Sequence, residues 1–490
     1  MVTLSNATLG LLSPRVTVPK YDRIGLPTPI VHIGVGGFHR AHEAVYLDDL
    51  LTQGFRDWSL CGVGLLPNDQ RMHDALIPQD CLYTVVERSA IGENARVIGS
   101  MARYLLAPSD PGSVIEMLAS AETRVVSLTI TEGGYNINET TGKFNGQHPD
   151  VVYDLTHSQR PVTVFGYLTE ALSRRRQNGL PPFTVLSCDN LPHNGNIARN
   201  AIVSYAGIRD PALADWISSH GAFPNCMVDR ITPQTTDADR IQIENEFGLQ
   251  DAWPVVCEPF RQWVIEDKFV LGRPPLEDAG VQFTSDVGPY ETMKLRLLNA
   301  SHSAMGYLGY LAGYRYIADV MADPLFQQFI ARLMDDEVSP LLPPVPGIDL
   351  TEYKKMLIQR FANPTIRDQV SRICLDGSAK MPKFLLPSLR EQIARHGPTR
   401  LLTLAVAGWF RYLRGTDEQS RPITLEDPMA AILRERALAG GDDPHPLLSL
   451  YETFGDLAQA TTWVDELGET LRQLSVHGAR ETLTQTLGPP

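Results

Sequence analysis

A lysine, an asparagine, a histidine and a glutamate share the segment Tyr290-Glu-Thr-Met-Lys-Leu-Arg-Leu-Leu-Asn-Ala-Ser-His302 at a spacing suited to proton transfer. On a helix that turns about 100° per residue, with Lys294 at 0°, Asn299 falls near 140°, His302 near 80° and Glu291 near 60°. One face then carries a candidate base, a neutral hydrogen-bond donor, an imidazole and a carboxylate. Leu295 and Leu298 share that arc, so the polar groups are set in apolar ground. Such surroundings depress a lysine pKa and make it useful as a base near neutrality. A solvated helix flank would carry the same residue types, so the segment needs support from the rest of the chain.

The elements that must position these groups divide into two kinds. In the first half, short apolar strands alternate with helical stretches: Pro29 to Ile33, Trp58 to Val63, Arg124 to Ile130 and Phe183 to Ser187, with a helix expected over Ala41 to Leu51. That alternation implies parallel pairing and an α/β doubly wound sheet, which takes ligands at the carboxyl ends of its strands. The residues just past those ends are Gly34 to Gly37, Asp69, Thr131 to Tyr135 and Cys188-Asp-Asn190. After about residue 285 the β-branched runs nearly vanish. Met293 to Tyr316, Pro324 to Asp335, Asp349 to Phe361, Pro387 to His396 and Thr399 to Arg414 read as helices, with a proline-stiffened loop over Pro340 to Gly347. Gly272 to Gly280 reads as the connector between the halves. The expected organisation is an α/β domain over 1–285 and a mainly α-helical one over 286–490.

Several local motifs are ambiguous one by one. Gly34-Val-Gly-Gly-Phe-His-Arg40 follows a strand and precedes a helix, the setting in which glycines let the backbone approach a pyrophosphate. The third glycine of GxGxxG is replaced by His39, and a tight structural turn would look the same. Asp69 follows the second strand, where a carboxylate bonds the adenosine ribose and repels the 2′-phosphate of NADP; an exposed loop aspartate is the equal alternative. His39 and His42 are three apart, but no carboxylate or cysteine cluster is seen to complete a metal site, so none is expected. Ser187-Cys-Asp189 lacks the frame of a nucleophile elbow. Met227 to Pro233 and Ser371 to Lys380 mix charges with apolar residues, as salt bridges and loops also do.

Bulk properties exclude more than they identify. A chain of 490 residues is too long for one core. Its net charge of −14 argues against nucleic acid and anionic membrane surfaces as partners. No apolar run is long enough to span a bilayer, and the N-terminus lacks the pattern of a signal peptide. None of the six cysteines forms a CxxC pair, so free thiols and a cytoplasmic setting are expected.

Taken together, the motifs resemble the polyol-specific long-chain dehydrogenase/reductase family, in particular its members that interconvert D-mannitol and D-fructose. The stretches that carry the resemblance are Ile33 to His42, Ser127 to Tyr135, Ser187 to Gly195, Met227 to Pro233, Asp251 to Pro259, the Lys294/Asn299/His302 block and Asp376 to Phe384. They run in family order and fade after about residue 420. The resemblance implies a Rossmann-like N-terminal domain, NAD as cofactor with NADP less preferred, and chemistry without zinc. It implies Lys294 as general base, Asn190 and Asn299 as alkoxide-stabilising donors, and His302 as the group orienting Lys294 or a substrate hydroxyl. Glu291 would relay the proton to solvent, and Asp229, Arg372 and Lys380 would contact the polyol chain. Gly34, Gly36, Gly37, Phe38 and Arg40 would form the cofactor loop, with Asp69 at the ribose. D-Arabinitol to D-xylulose is the expected secondary activity, and a monomer is expected. A fructuronate or tagaturonate reductase is the alternative within the family, since Arg372 and Lys380 could pair a carboxylate; a non-catalytic dinucleotide or sugar sensor is the alternative outside enzymology.

Overall fold

Residues 1–138 and 141–488 are described by a computed structural model, which divides into two compact units, Met1–Gly288 and Pro289–Pro490. The Glu132 side chain, for which the sequence suggests no role, lies outside the described residues.

The first unit is built on five parallel strands, β1 (Ile30–Ile33), β2 (Leu60–Gly64), β3 (Met101–Leu106), β4 (Val125–Leu128) and β5 (Thr184–Ser187). Their order in the sheet is β3-β2-β1-β4-β5, the order of a doubly wound dinucleotide fold. Both faces are covered, and the strand residues alternate between two cores. Ile30, Leu60, Val125 and Leu186 join one cluster, whereas Val31, Ile33, Val63, Val126 and Val185 join the other. This alternation is why the strands read as unbroken apolar runs, because a parallel sheet buried on both sides leaves no polar face to show a period of two. The chain leaves β1 toward β2 and later returns to β4, so the switch point lies at the carboxyl ends of β1 and β4.

The sequence predicts four of these five strands; it does not predict β3 or the strands outside this sheet. A hairpin, Tyr83–Ser89 against Gly92–Ile98, turns through only two residues, and Val255–Cys257 adds a parallel strand to it. A strand β6 (Cys226–Asp229) pairs antiparallel with Gln262–Glu266, which in turn carries Gln282–Thr284. That last pairing corrects the expected connector. Gly272 to Gly280 belongs to the first unit: Arg273 lies 3.4 Å over the Phe283 ring, and Gln53 Nε2 donates to the Asp278 carbonyl (3.2 Å). The glycines and prolines there shape a packed turn rather than a linker.

The second unit is helical. Its core helix Ala300–Leu311 is buried at every position except Tyr310 and packs on Arg400–Tyr412, which also packs on the long C-terminal helix Thr461–Leu487. The long helical pattern from residue 293 resolves into Gly288–Met293, a π-helical turn over Lys294–Asn299, and Ala300–Leu311. Among the described residues no helix is long and apolar enough to cross a membrane, and the six cysteines are all free thiols.

Candidate active site

In the first unit the glycine loop stands at the switch point. Gly34 has φ +96°, its N–H donates to the Val63 carbonyl (3.0 Å), and its own carbonyl accepts from Thr129 Oγ1 (2.6 Å). A Cβ at Gly34 would collide with the Thr129 carbonyl, so glycine is required both by conformation and by space. Gly36 caps the short helix Gly37–Ala41, and a Cβ on Gly37 would lie 3.8 Å from Thr232. Phe38 is half-buried and stacks on the His42 ring at 4.8 Å. Arg40 differs from the expectation of a direct cofactor contact. Its guanidinium is turned inward at 1% exposure, bonding the Gly36 and Trp253 carbonyls and lying over the Tyr83 ring. It shapes the loop from beneath. Asp69 stands past the end of β2, its Oδ2 accepting from Leu66 N (2.8 Å); a Cβ on Gly64 would come within 2.6 Å of Asp69 Cβ.

The two histidines three apart do not act as a pair. His42 faces Trp263 and the Gln262 carbonyl (2.9 Å), and burial pushes its pKa down to about 3. His39 instead stacks on His32 (3.4 Å, 10°), with Glu43 Oε2 3.0 Å from His32 Nδ1 and 3.7 Å from His39 Nε2. A carboxylate therefore does join His39, contrary to the expectation from sequence: Glu43 lies four residues on, and the second imidazole, His32, comes from the strand β1. These three side chains could offer ligand atoms within 4.8 Å of one another. Zinc needs lone pairs converging on one point about 2.0–2.1 Å away, whereas parallel stacked imidazoles direct theirs side by side. His32 is also engaged by Ser127 Oγ (2.8 Å) and Thr129 Oγ1 (2.9 Å), so the cluster reads as a polar brace under the glycine loop. His39 is held neutral by burial and by the neighbouring His32, Arg40 and His42.

Asn190 lies three residues past the end of β5 and is half-buried. Asp229 ends β6 at 4% exposure. Sequence reasoning missed the residues that hold these two in place. Asn194 is fully buried; its Oδ1 accepts from Cys226 N (2.9 Å) and its Nδ2 donates to the carbonyls of Cys226 (2.8 Å) and Asp189 (3.1 Å). One side chain thus ties the turn after β5 to the strand that carries Asp229. Arg230, also buried, donates to the carbonyls of Ala41 (2.6 Å) and Glu258 (2.9 Å) and pairs with Glu87 (2.5 Å). Each lies in a stretch that mixes polar and apolar residues, Asn194 beside His193 and Asn196 and Arg230 beside Asp229, and that pattern does not distinguish a brace from a ligand contact.

The second unit assembles the basic groups. Glu291, Lys294 and His302 are buried at 6, 7 and 7% exposure, so the solvated-flank alternative fails for this segment. The π turn changes the wheel drawn from sequence. An α-helix sets Lys294 and Asn299 about 140° apart, but hydrogen bonding from i to i+5 widens the turn and draws residues five apart toward one face. Asn299 Oδ1 is buried with no hydrogen-bond partner among the described residues. The His302 ring lies 4.5 Å from Phe361. The helix Gly377–Phe384, which carries Lys380, adjoins the π turn, and Val370–Ile373, which carries Arg372, packs on the helix of His302. Gly377 is fixed by space: a Cβ would meet Tyr307 Oη at 2.5 Å and Trp409 Nε1 at 2.7 Å. Arg372 makes a two-pronged ion pair with Asp368 (2.7 Å at both contacts), which raises its pKa despite desolvation.

Comparison with known proteins agrees with both units. The family model for the mannitol dehydrogenase Rossmann domain matches residues 28–278, and that for the mannitol dehydrogenase C-terminal domain matches 286–475. A mannitol 2-dehydrogenase of Phaeosphaeria nodorum is 52% identical over 475 residues, covering 96% of this chain and 83% of the relative. One from Aspergillus fumigatus is 50% identical over 476 residues, with 96 and 95% covered. Among solved structures, Pseudomonas fluorescens mannitol 2-dehydrogenase in ternary complex with NAD and D-mannitol superposes with a TM-score of 0.92 at 47% identity, covering 100% of both chains. A substrate-free D-sorbitol dehydrogenase follows at 0.89 and 38%, covering 98% of this chain and 100% of that one. With both family models matched in order across most of its length, the chain belongs to the mannitol dehydrogenase family.

Proposed function

We propose that the protein is an NAD-dependent polyol dehydrogenase that interconverts D-mannitol and D-fructose without zinc, with D-arabinitol to D-xylulose as a secondary activity. The observation that carries this reading is the π turn of the second unit, where the buried Lys294 and the amide of Asn299 are drawn toward one face. The first unit fits the cofactor: Gly34, Gly36, Gly37 and Phe38 form the loop at the switch point, with Arg40 beneath it and Asp69 at the ribose position. The Asp69 carboxylate disfavours the 2′-phosphate of NADP. When bound, the dinucleotide supplies the acceptor for the C2 hydride, or its donor in reverse.

The chain's own groups handle the proton and the charge. Lys294, buried at 7% exposure, takes the C2 hydroxyl proton during oxidation and returns it during reduction. Asn190 and Asn299 donate to the developing alkoxide, each worth about 2.7–4 kcal/mol if it matches a measured oxyanion-hole donor. Glu291, one turn before Lys294, relays the proton onward, and His302 holds the lysine or a substrate hydroxyl. Asp229, Arg372 and Lys380 take the remaining hydroxyls. The Arg372–Asp368 pair favours a neutral polyol over a sugar acid, since binding a carboxylate there would compete with a partner already in place.

The test is NADH oxidation with fructose, with fructuronate and with no substrate. Turnover on fructose alone is expected. Turnover on fructuronate alone would replace the polyol with a uronate, and binding of NADH with silence on both would sink the enzyme reading.

A further inference from the structure

The segment Thr129-Ile-Thr-Glu-Gly-Gly-Tyr135 leaves the carboxyl end of β4, and its backbone is unusual at one residue. Thr131 has φ +64° and ψ 166°, a region that is essentially reserved for glycine. For a β-branched residue this is a genuine outlier and a strained one. Gly133 and Gly134 lie two and three residues away, and neither has positive φ. The strain therefore falls on threonine in a turn that has glycines to spare, and something outside the turn must impose it.

That something is Asp189. Its Oδ1 accepts from Thr131 N (2.9 Å), and its Oδ2 accepts from Ile130 N (3.1 Å) and from Tyr135 Oη (2.6 Å). Tyr135 is 1% exposed and also meets Ser187 Oγ at 2.6 Å. Burial and the charge of Asp189 both raise the phenol's pKa, so it remains a donor to the carboxylate. The backbone of Asp189 does a second job. Its carbonyl accepts from Leu191 N (2.9 Å) and Asn194 Nδ2 (3.1 Å), closing the sharp turn on which Asn190 rides, while Cys188 N continues the sheet to the Leu128 carbonyl (2.8 Å). One residue thus holds the strained turn after β4 through its side chain and the turn after β5 through its main chain.

We propose that Asp189 is a positioning residue of the dehydrogenase reaction, registering the strained Thr131 turn against the turn that presents Asn190. This rests on the function proposed above. Strain of this kind persists where the surrounding structure over-determines it, and such places cluster at sites that need a preset geometry. Asp189 touches neither of the reacting atoms in this scheme; it acts through Asn190 and the neighbouring turn.

The test uses the full-length protein with Asp189→Asn and Tyr135→Phe. The asparagine keeps the size but loses one acceptor oxygen, so at least one of the three donors is left facing an amide NH2. Turnover of fructose with NADH should fall about 10–100-fold for Asp189→Asn, the cost of losing an interaction of about 1–3 kcal/mol. The fall should be smaller for Tyr135→Phe, which spares both backbone bonds. The NADH dissociation constant should stay within about twofold of wild type, since loss of a transition-state contact leaves ground-state binding intact. The primary isotope effect with NADH deuterated at the transferred position should rise as hydride transfer becomes limiting. Unchanged turnover per folded molecule, with only a lower melting temperature, would overturn the proposal by making the clamp purely structural. A loss of NADH affinity matching the loss of turnover would overturn it too, by making the turn a cofactor element. If Asp189→Asn does not fold, Tyr135→Phe decides by the same two readouts. Absence of any turnover by the wild type on mannitol or fructose would be a separate failure, that of the functional reading, visible before any variant is made.

Discussion

At the residue scale, Lys294 and His42 show opposite uses of burial. Lys294 is a long cationic side chain at 7% exposure, a position that structure alone does not favour unless the group is partnered or functional. Lys294→Ala should lower turnover by about 10²–10⁴-fold, the usual worth of a general base, while NADH affinity stays near wild type. Fluorescence titration with NADH checks the second half; a collapse of binding would make Lys294 structural. His42 is neutral when folded, its pKa pushed from 6.5 down to about 3 chiefly by burial. Between those values the unfolded chain binds a proton that the folded chain refuses, so stability is complete above pH 6.5 and falls as pH drops toward 3. The slope approaches about 1.4 kcal/mol per pH unit for each such group, and His39 adds in the same direction. Urea midpoints measured from pH 7 to pH 4 should show this decline, and His42→Gln should reduce the slope by about one proton. An unaltered slope would mean that His42 protonates within the folded protein.

At the element scale, the glycine loop and the π turn carry different lessons. The loop between β1 and the helix Gly37–Ala41 depends on one backbone conformation, that of Gly34. Gly34→Ala would add a Cβ against the Thr129 carbonyl at φ +96°. Relief of that clash must move the loop or β4, so NADH affinity should drop about tenfold or more, consistent with strain of about 1–3 kcal/mol. Isothermal titration with NADH measures this directly, and wild-type affinity in the variant would show that the loop does not hold the cofactor. The π turn has no comparable sequence signature. Lys-x4-Asn is an ordinary spacing, and helical propensity does not separate an i+4 ladder from an i+5 ladder over six residues. The wider turn at Lys294–Asn299 emerges only when the flanking helices are packed, Ala300–Leu311 against Arg400–Tyr412 and Arg296 against Glu391 (2.6 and 2.9 Å).

At the scale of the whole molecule, the chain is two compact units in series, and a ligand bound by one should be felt first in that unit's unfolding. NADH at about 100 times its dissociation constant should stabilise the unit that binds it by about 2.7 kcal/mol. Trp58, Trp216, Trp253 and Trp263 report on the first unit, and Trp409 and Trp463 on the second. In urea titrations the first set should shift with NADH, a result checked by replacing Trp409 and Trp463 with phenylalanine. A shift confined to the second set would place the cofactor elsewhere. The sequence by itself determined the class of both units and four of the five parallel strands, because apolar runs, glycines and motif order are local properties; Met101–Leu106, which mixes Arg103 and Tyr104 into its apolar residues, was not legible as a strand. Only the tertiary structure decided which partner each polar residue takes. Arg40 turned inward, Glu43 joined two histidines from separate elements, Arg372 met Asp368, and Asp189 took up a strained turn from across the sheet. Each of those outcomes depends on which partner a buried charge or amide finds, and that partner is chosen by packing between segments that the linear chain keeps far apart or by the face a residue presents, which spacing alone does not set.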